Sequence, residues 1–124
     1  MCANVGDSRA IVGRFQHGKW MSKSLSFDHK PDNAAEMSRI EASGGYVRTY
    51  MLPDNKPVGP ARVWVRGSNP PIPGLAMSRS FGDWVASSVG VSSDPEIMAH
   101  SITSEDKFIL IASDGVWEFL SNSA

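Results

Sequence analysis

Hydrophobic and polar positions along the first quarter of the chain predict two β-strands. They cover residues 10–15 and 20–25. The four residues between them include Gly18, and glycine readily adopts the positive φ of a tight hairpin turn. Residues 46–52 and 61–65 have a similar strand-like composition, so we expect them to pair as a second hairpin.

The segment between these hairpins has a helical pattern. Asn33 followed three residues later by Glu36 matches a capping box, and Met37 with Ile40 gives a short apolar face. The glycine pair at 44–45 is expected to end the helix. One helix among antiparallel strands predicts an α/β sandwich.

The run at 108–112 is apolar at every position, which predicts a strand buried on both faces. A Ser-Asp-Gly turn follows at 113–115, and residues 116–120 begin a second helical pattern. If that helix begins at residue 116, one turn separates Asp114 from Glu118. Their carboxylates could then converge.

Six of the eight prolines fall between residues 53 and 73. Proline lacks a backbone N–H and fixes its own φ, so this window is expected to be neither a core helix nor a central strand. We interpret it as a long surface excursion.

Composition and charge exclude several classes of function. The 12 basic and 13 acidic residues give a net charge of -1, so nucleic-acid binding is not expected as the main role. The single cysteine, Cys2, cannot form an internal disulfide, which favours an intracellular location, cytoplasmic or nuclear. The sequence has no run of 18 apolar residues, which is the length that would indicate a membrane-spanning helix.

Candidate chemistry lies where strands give way to turns. Asp7 follows the short run at 3–5, and Asp114 follows the apolar run. With Glu118, they are the oxygen ligands that Mg²⁺ or Mn²⁺ prefers. Asp-Gly after a strand is also the ordinary composition of a turn, and three carboxylates make a poor two-metal site. Spacing alone does not distinguish a metal site from an ordinary turn.

The other reactive side chains have simpler interpretations. His17 and His100 are expected to be solvated, and His29 to be a structural turn residue. Cys2 is expected to be a small buried apolar residue. No nucleophile elbow and no phosphate-binding glycine loop occur.

Taken in order, six segments resemble the metal-dependent protein serine/threonine phosphatases of type 2C. They are residues 3–10, 25–31, 36–40, 44–47, 74–83 and 108–118. Each segment is weak evidence alone, but together they span nearly the whole chain. Residues 1–124 are therefore identified as part of such a catalytic domain.

The resemblance implies an α-β-β-α sandwich of antiparallel sheets flanked by helices, truncated at both ends. It also implies a centre of two or more Mg²⁺ or Mn²⁺ ions, whose bound water attacks phosphoserine or phosphothreonine in phosphoprotein substrates. Asp114 matches a ligand of the binuclear centre, whereas Asp7 and Glu118 match a weaker third site. The proline-rich region, about 53–83, matches a flap on the substrate side, and we assign Arg79, Gly82 and Asp83 to it.

Other family motifs do not occur in these 124 residues, among them an Asp-Gly-His-Gly segment and a late Asp-Asn segment. The chain alone is therefore expected to bind metal weakly or not at all and to be nearly inactive. One alternative is a non-catalytic, phosphatase-like binding or regulatory module, and another is a metal-dependent hydrolase of unrelated fold. Exposed strand edges lead us to expect self-association of the chain.

Overall fold

A computed structural model describes residues 1–123 and divides them into two compact units. One comprises residues 1–28 and 95–123, and the other is His29–Asp94. The fold is α/β with antiparallel sheets and short helices, as predicted. In chain order its elements are β1 (Cys2–Asn4), β2 (Arg9–Gln16), β3 (Lys19–Ser24), α1 (Ala34–Ala42), β4 (Gly45–Met51), β5 (Pro57–Val65), β6 (Pro73–Leu75), α2 (Trp84–Ser87), β7 (Glu96–Met98), β8 (Asp106–Ala112) and α3 (Asp114–Trp117).

The first unit contains the predicted first hairpin. β2 pairs with β3 through a two-residue turn, in which His17 and Gly18 have φ values of 51° and 75°. Ala10 and Val12 alternate along β2 and pack with Leu25 in a small core, against which the half-buried Cys2 also packs. In the same unit, β1 pairs with β7 as a separate two-stranded sheet.

The prediction that the apolar run at 108–112 is buried on both faces is wrong. It forms most of β8, the edge strand of the sheet β3-β2-β8, and Ile109 and Ile111 are 56% and 73% exposed. An apolar composition shows that burial would stabilise a strand, but it does not show that another layer of the protein covers that strand. Phe108 in this run packs against Trp20, and the centroids of the two rings are 5.8 Å apart.

The second unit has a core beneath the sheet β4-β5-β6. Its buried side chains come from α1, β5 and the segment around α2, and they are Ile40, Val63, Ala86, Val89 and Val91. Asn33 is the N-cap of α1 as predicted, but its side chain makes no capping bond, and Glu36 turns towards arginines instead of completing a capping box.

The proline window is more regular than predicted. Pro57 and Pro60 lie in β5 and Pro73 begins β6, so the segment is not one irregular excursion. β5 is central, but it pairs with β6 only at Val63 and Trp64. Its two prolines lie in the part of β5 that pairs with β4 but not with β6. Pro60 also lies beside a shift in the register between β4 and β5, where a missing N–H is tolerated.

The last predicted helix is shorter and begins earlier than expected. α3 covers Asp114–Trp117 and ends with Glu118 as C-cap, not residues 116–120. None of the helices in residues 1–123 has the length and apolar character needed to cross a bilayer.

Candidate functional site

Strand register brings two of the predicted metal-ligating residues to one end of a sheet. β2 and β8 are antiparallel, and Arg9 lies opposite Ala112. Asp7 comes two residues before Arg9, and Asp114 comes two residues after Ala112. Both aspartates therefore lie at the same end of this strand pair, with Asp7 half-buried and Asp114 exposed.

Glu118 follows Asp114 by one helical turn, and its N–H donates to the Asp114 carbonyl over 2.8 Å. The two residues are therefore one turn apart, although α3 begins at Asp114 and not at residue 116. Within residues 1–123, however, no three His, Cys, Asp or Glu side chains form a group that could hold a metal ion. The side chains of Asp7, Asp114 and Glu118 therefore do not form a metal site by themselves.

Arg9 organises the same end of the strand pair, a role that the sequence analysis missed. Its guanidinium makes a bidentate ion pair with Asp28, at 2.8 and 2.9 Å, and donates to Asn122 Oδ1 over 2.7 Å. The hydrogen bond with Asp28 raises the pKa of Arg9 above its usual value. Arg9 therefore joins the start of β2 to two later segments of the chain, one around Asp28 and one around Asn122. The only sequence signal was its place beside Asp7 in the Gly-Asp-Ser-Arg turn.

Trp117 connects the short helix α3 to the same end of the β2–β8 strand pair. Its indole Nε1 donates to the carbonyls of Arg9 and Ala112, at 3.0 and 2.9 Å. The Arg9 guanidinium also lies over the indole, 5.2 Å from its centroid. These contacts hold the position of Asp114 through the backbone on both sides of it.

Arg79 was assigned to the substrate side of the flap, and the structure places it in a buried ion cluster. Its Nη2 lies 2.8 Å from Glu36 Oε1, and Arg39 Nη2 lies 2.8 Å from Glu36 Oε2. The Ser78 hydroxyl donates to the same carboxylate over 2.7 Å. Burial alone would raise the pKa of Glu36, but the hydrogen bonds from Arg39, Arg79 and Ser78 lower it well below its usual range.

The other two flap residues have local backbone roles. Gly82 has a φ of 78°, which favours glycine. Asp83 is the N-cap of α2, and its carboxylate accepts the Ala86 N–H over 2.9 Å. The structure thus brings Arg79 into the ion cluster, while Gly82 and Asp83 shape the turn that follows. The assignment of all three to the substrate side stays a prediction.

The histidines have mixed outcomes. His17 is exposed in its turn, as predicted. The prediction for His100 is wrong, because its Nε2 lies 2.9 Å from Asp106 Oδ2 and its side chain is only 12% exposed. The residues around His100 are polar, but its hydrogen bond with Asp106 removes it from solvent, and the polarity of neighbouring residues does not reveal such a partner. His29 is buried, and its carbonyl accepts the Ser78 N–H.

Comparison with known proteins identifies the family. The model of the protein phosphatase 2C family matches residues 1–124. The chain is 42% identical to probable protein phosphatase 2C 38 of Oryza sativa subsp. japonica and 44% identical to probable protein phosphatase 2C 61 of Arabidopsis thaliana. These matches cover 99% and 98% of the chain but only 26% and 36% of the two relatives. The chain belongs to the protein phosphatase 2C family and spans about a third or less of these relatives' length.

Solved structures agree on the fold. A serine-threonine phosphatase 2C from Toxoplasma gondii superposes with a TM-score of 0.81 at 28% identity, over 98% of this chain and 39% of that one. A sex-determining protein of C. elegans shares the fold alone, with a TM-score of 0.70 at 24% identity, over 98% of this chain and 25% of that one. The predicted fold class is confirmed.

Proposed function

We propose that the longer protein containing these residues hydrolyses phosphoserine and phosphothreonine in proteins and depends on Mg²⁺ or Mn²⁺. The observation that carries the proposal is the register of β2 and β8, which brings Asp7 and Asp114 to one end of a sheet. Family membership over the whole chain supports it. Carboxylates at a rigid strand end are suitable ligands for a hard divalent cation.

The roles of this chain's residues follow from their positions. Asp114, Asp7 and Glu118 would contribute carboxylate oxygens to the metal centre, and further ligands would have to come from elsewhere. Arg9 and Trp117 would hold the strand ends that carry these carboxylates. A metal ion held there would supply an activated water and stabilise charge on the phosphoryl group.

The test uses a longer protein that contains residues 1–124 of this sequence. We expect Mn²⁺-dependent release of phosphate from a phosphothreonine peptide, and we expect Asp114→Asn to lower kcat by about a hundredfold or more. Asp32→Asn, at an exposed position of the other unit, is the matched control and should leave kcat unchanged. Full activity of Asp114→Asn would refute the assigned role.

The 124-residue chain alone is expected to show little or no turnover of an aryl phosphate with Mn²⁺. Robust turnover that drops on Asp114→Asn would contradict this expectation. If the longer protein binds phosphoproteins without hydrolysing them, the alternative of a non-catalytic binding or regulatory module replaces the phosphatase proposal.

Self-association of the chain remains a proposal, supported by the exposed strand β8. Among residues 1–123, β8 pairs only with β2, so its other edge presents backbone donors and acceptors beside apolar side chains. Light scattering should give a mass above 13.4 kDa that rises with concentration. A monomeric mass at high concentration would count against it.

A further inference from the structure

The sheet β4-β5-β6 has one face on the core and one face outward. Register places Tyr46 opposite Trp64 and Arg48 opposite Arg62. Side chains alternate along a strand, so these four share a face, whereas Val63 between them is fully buried in the core. The outward face of this sheet is thus aromatic and basic.

Two arginines lie side by side on this face. Arg48 and Arg62 lie directly opposite each other, an arrangement that is unfavourable for like charges. Arg62 Nη1 donates to the Gly74 carbonyl over 2.7 Å, while Arg48 is exposed. Residues 45–75 hold four basic residues and one acidic residue, Asp54, whose carboxylate pairs with Lys56 at 3.0 Å. No carboxylate of this segment offsets the repulsion between Arg48 and Arg62. An anionic ligand would therefore relieve it.

A shallow groove follows the same face. Its volume is about 200 Å³, and its lining includes Tyr46, Arg48, Tyr50, Trp64 and Pro71. Tyr50 is 54% exposed and offers both a phenol O–H and a flat surface. The groove thus combines a hydrogen-bonding aromatic side chain with an exposed guanidinium.

We propose that this face binds an acidic segment of a protein partner, with the partner's carboxylates against Arg48 and Arg66 and its backbone along Tyr50. Arg66 is exposed, and its guanidinium lies over the ring of Tyr46. Guanidinium groups bind carboxylates through paired, charge-assisted hydrogen bonds, which suits a run of Asp or Glu side chains. This docking surface goes beyond the proposed phosphatase activity and does not depend on catalysis.

The aromatic side chains favour a peptide over single-stranded nucleic acid. Base stacking needs open ring faces. The Trp64 ring lies against Gly74, where an added Cβ would be 3.0 Å from it, and its Nε1 donates to the Arg48 carbonyl over 2.8 Å. Tyr46 is covered on one side by the Arg66 guanidinium, 5.7 Å from its centroid. Two of the three rings are therefore already engaged.

Fluorescence anisotropy of labelled probes with the 124-residue chain tests the proposal. The probes are an alternating Glu-Gly peptide of about twelve residues, its Gln-Gly counterpart, and a uridine oligomer of similar length. We expect the Glu peptide to bind at least about tenfold more tightly than the Gln peptide at low salt, and this preference to shrink as salt rises. Equal affinity for the two peptides, or tighter binding of the uridine oligomer, would overturn the proposal.

Variants locate the binding surface. Arg48→Gln removes the exposed guanidinium but keeps the backbone carbonyl that Trp64 uses, so the fold should be retained, which circular dichroism checks. We expect it to weaken Glu-peptide binding about five- to tenfold, with a similar loss for Arg66→Gln. Lys19→Gln removes one exposed charge from the other unit and should leave affinity unchanged. Unchanged binding by both arginine variants, or an equal loss in the lysine control, would refute the assigned surface.

Discussion

Replacing Glu36 by glutamine tests the ion cluster that joins α1 to the Ser78 segment. The carboxylate is only 7% exposed, and each of its oxygens lies within 3.0 Å of an arginine nitrogen, from Arg39 or Arg79. Glutamine keeps the shape of glutamate but presents an NH₂ group where one oxygen accepted hydrogen bonds. Two guanidinium groups then lose their counter-charge.

The structure sets the size of the effect. Removing one partner of a buried ion pair costs about 3–5 kcal/mol when the remaining charge stays buried. Arg39 and Arg79 are 31% and 19% exposed, so water can partly solvate them once they are released. We therefore expect a loss near the lower limit, about 3 kcal/mol, and a fall in Tm of roughly 10 °C.

Amide hydrogen exchange, read peptide by peptide, is the appropriate assay because it reports on α1 and β4 separately from the other unit. A loss of about 3 kcal/mol should speed exchange there about a hundredfold. Glu41→Gln on the same helix is the matched control, since Glu41 is exposed, and it should change stability by less than about 0.5 kcal/mol. If Glu36→Gln matched this control, the cluster would contribute no net stability and the reasoning would be refuted.

Two further predictions concern acid stability and packing. Hydrogen bonding from the Thr103 N–H, together with bonds from His100 and Arg14, lowers the pKa of Asp106 to about 2, so its stabilising contribution is present above the usual pKa near 4 and is lost as pH falls towards 2. The difference in Tm between the original chain and Asp106→Asn should therefore be larger at about pH 5 than at about pH 2, and a pH-independent difference would contradict this. Gly45→Ala should destabilise the second unit by about 1–3 kcal/mol in urea unfolding, because its Cβ would lie 2.7 Å from Ile40 Cγ2 and 3.0 Å from the Val89 carbonyl oxygen. Gly115→Ala, whose Cβ would make only an ordinary contact at 3.6 Å, should stay within about 1 kcal/mol of the original chain.

Much of the fold could be predicted from local patterns. The turn at His17 and Gly18 follows from backbone conformational preference, and the pairing of β4 with β5 follows from two strand-like runs flanking a turn. The order of six short segments also sufficed to identify the family. These features depend on neighbours in sequence, so residue type and spacing carry the information.

The candidate site was only partly predictable. Asp7 and Asp114 could be named from their turns, but their meeting at one sheet end depends on the register of strands almost a hundred residues apart. Arg9 was missed because Asp28 and Asn122, its partners, are distant in sequence. Register and long-range ion pairs are properties of the folded chain.

The sequence by itself determined the family, the antiparallel α/β class and most strands, because local propensity and motif order express them directly. The tertiary structure decided which side chains are covered. It left the apolar β8 exposed at a sheet edge, drew Glu36 away from its expected capping role and placed Arg79 in the same buried cluster. Burial and charge pairing depend on which residues meet in space, and only the packed chain defines those neighbours.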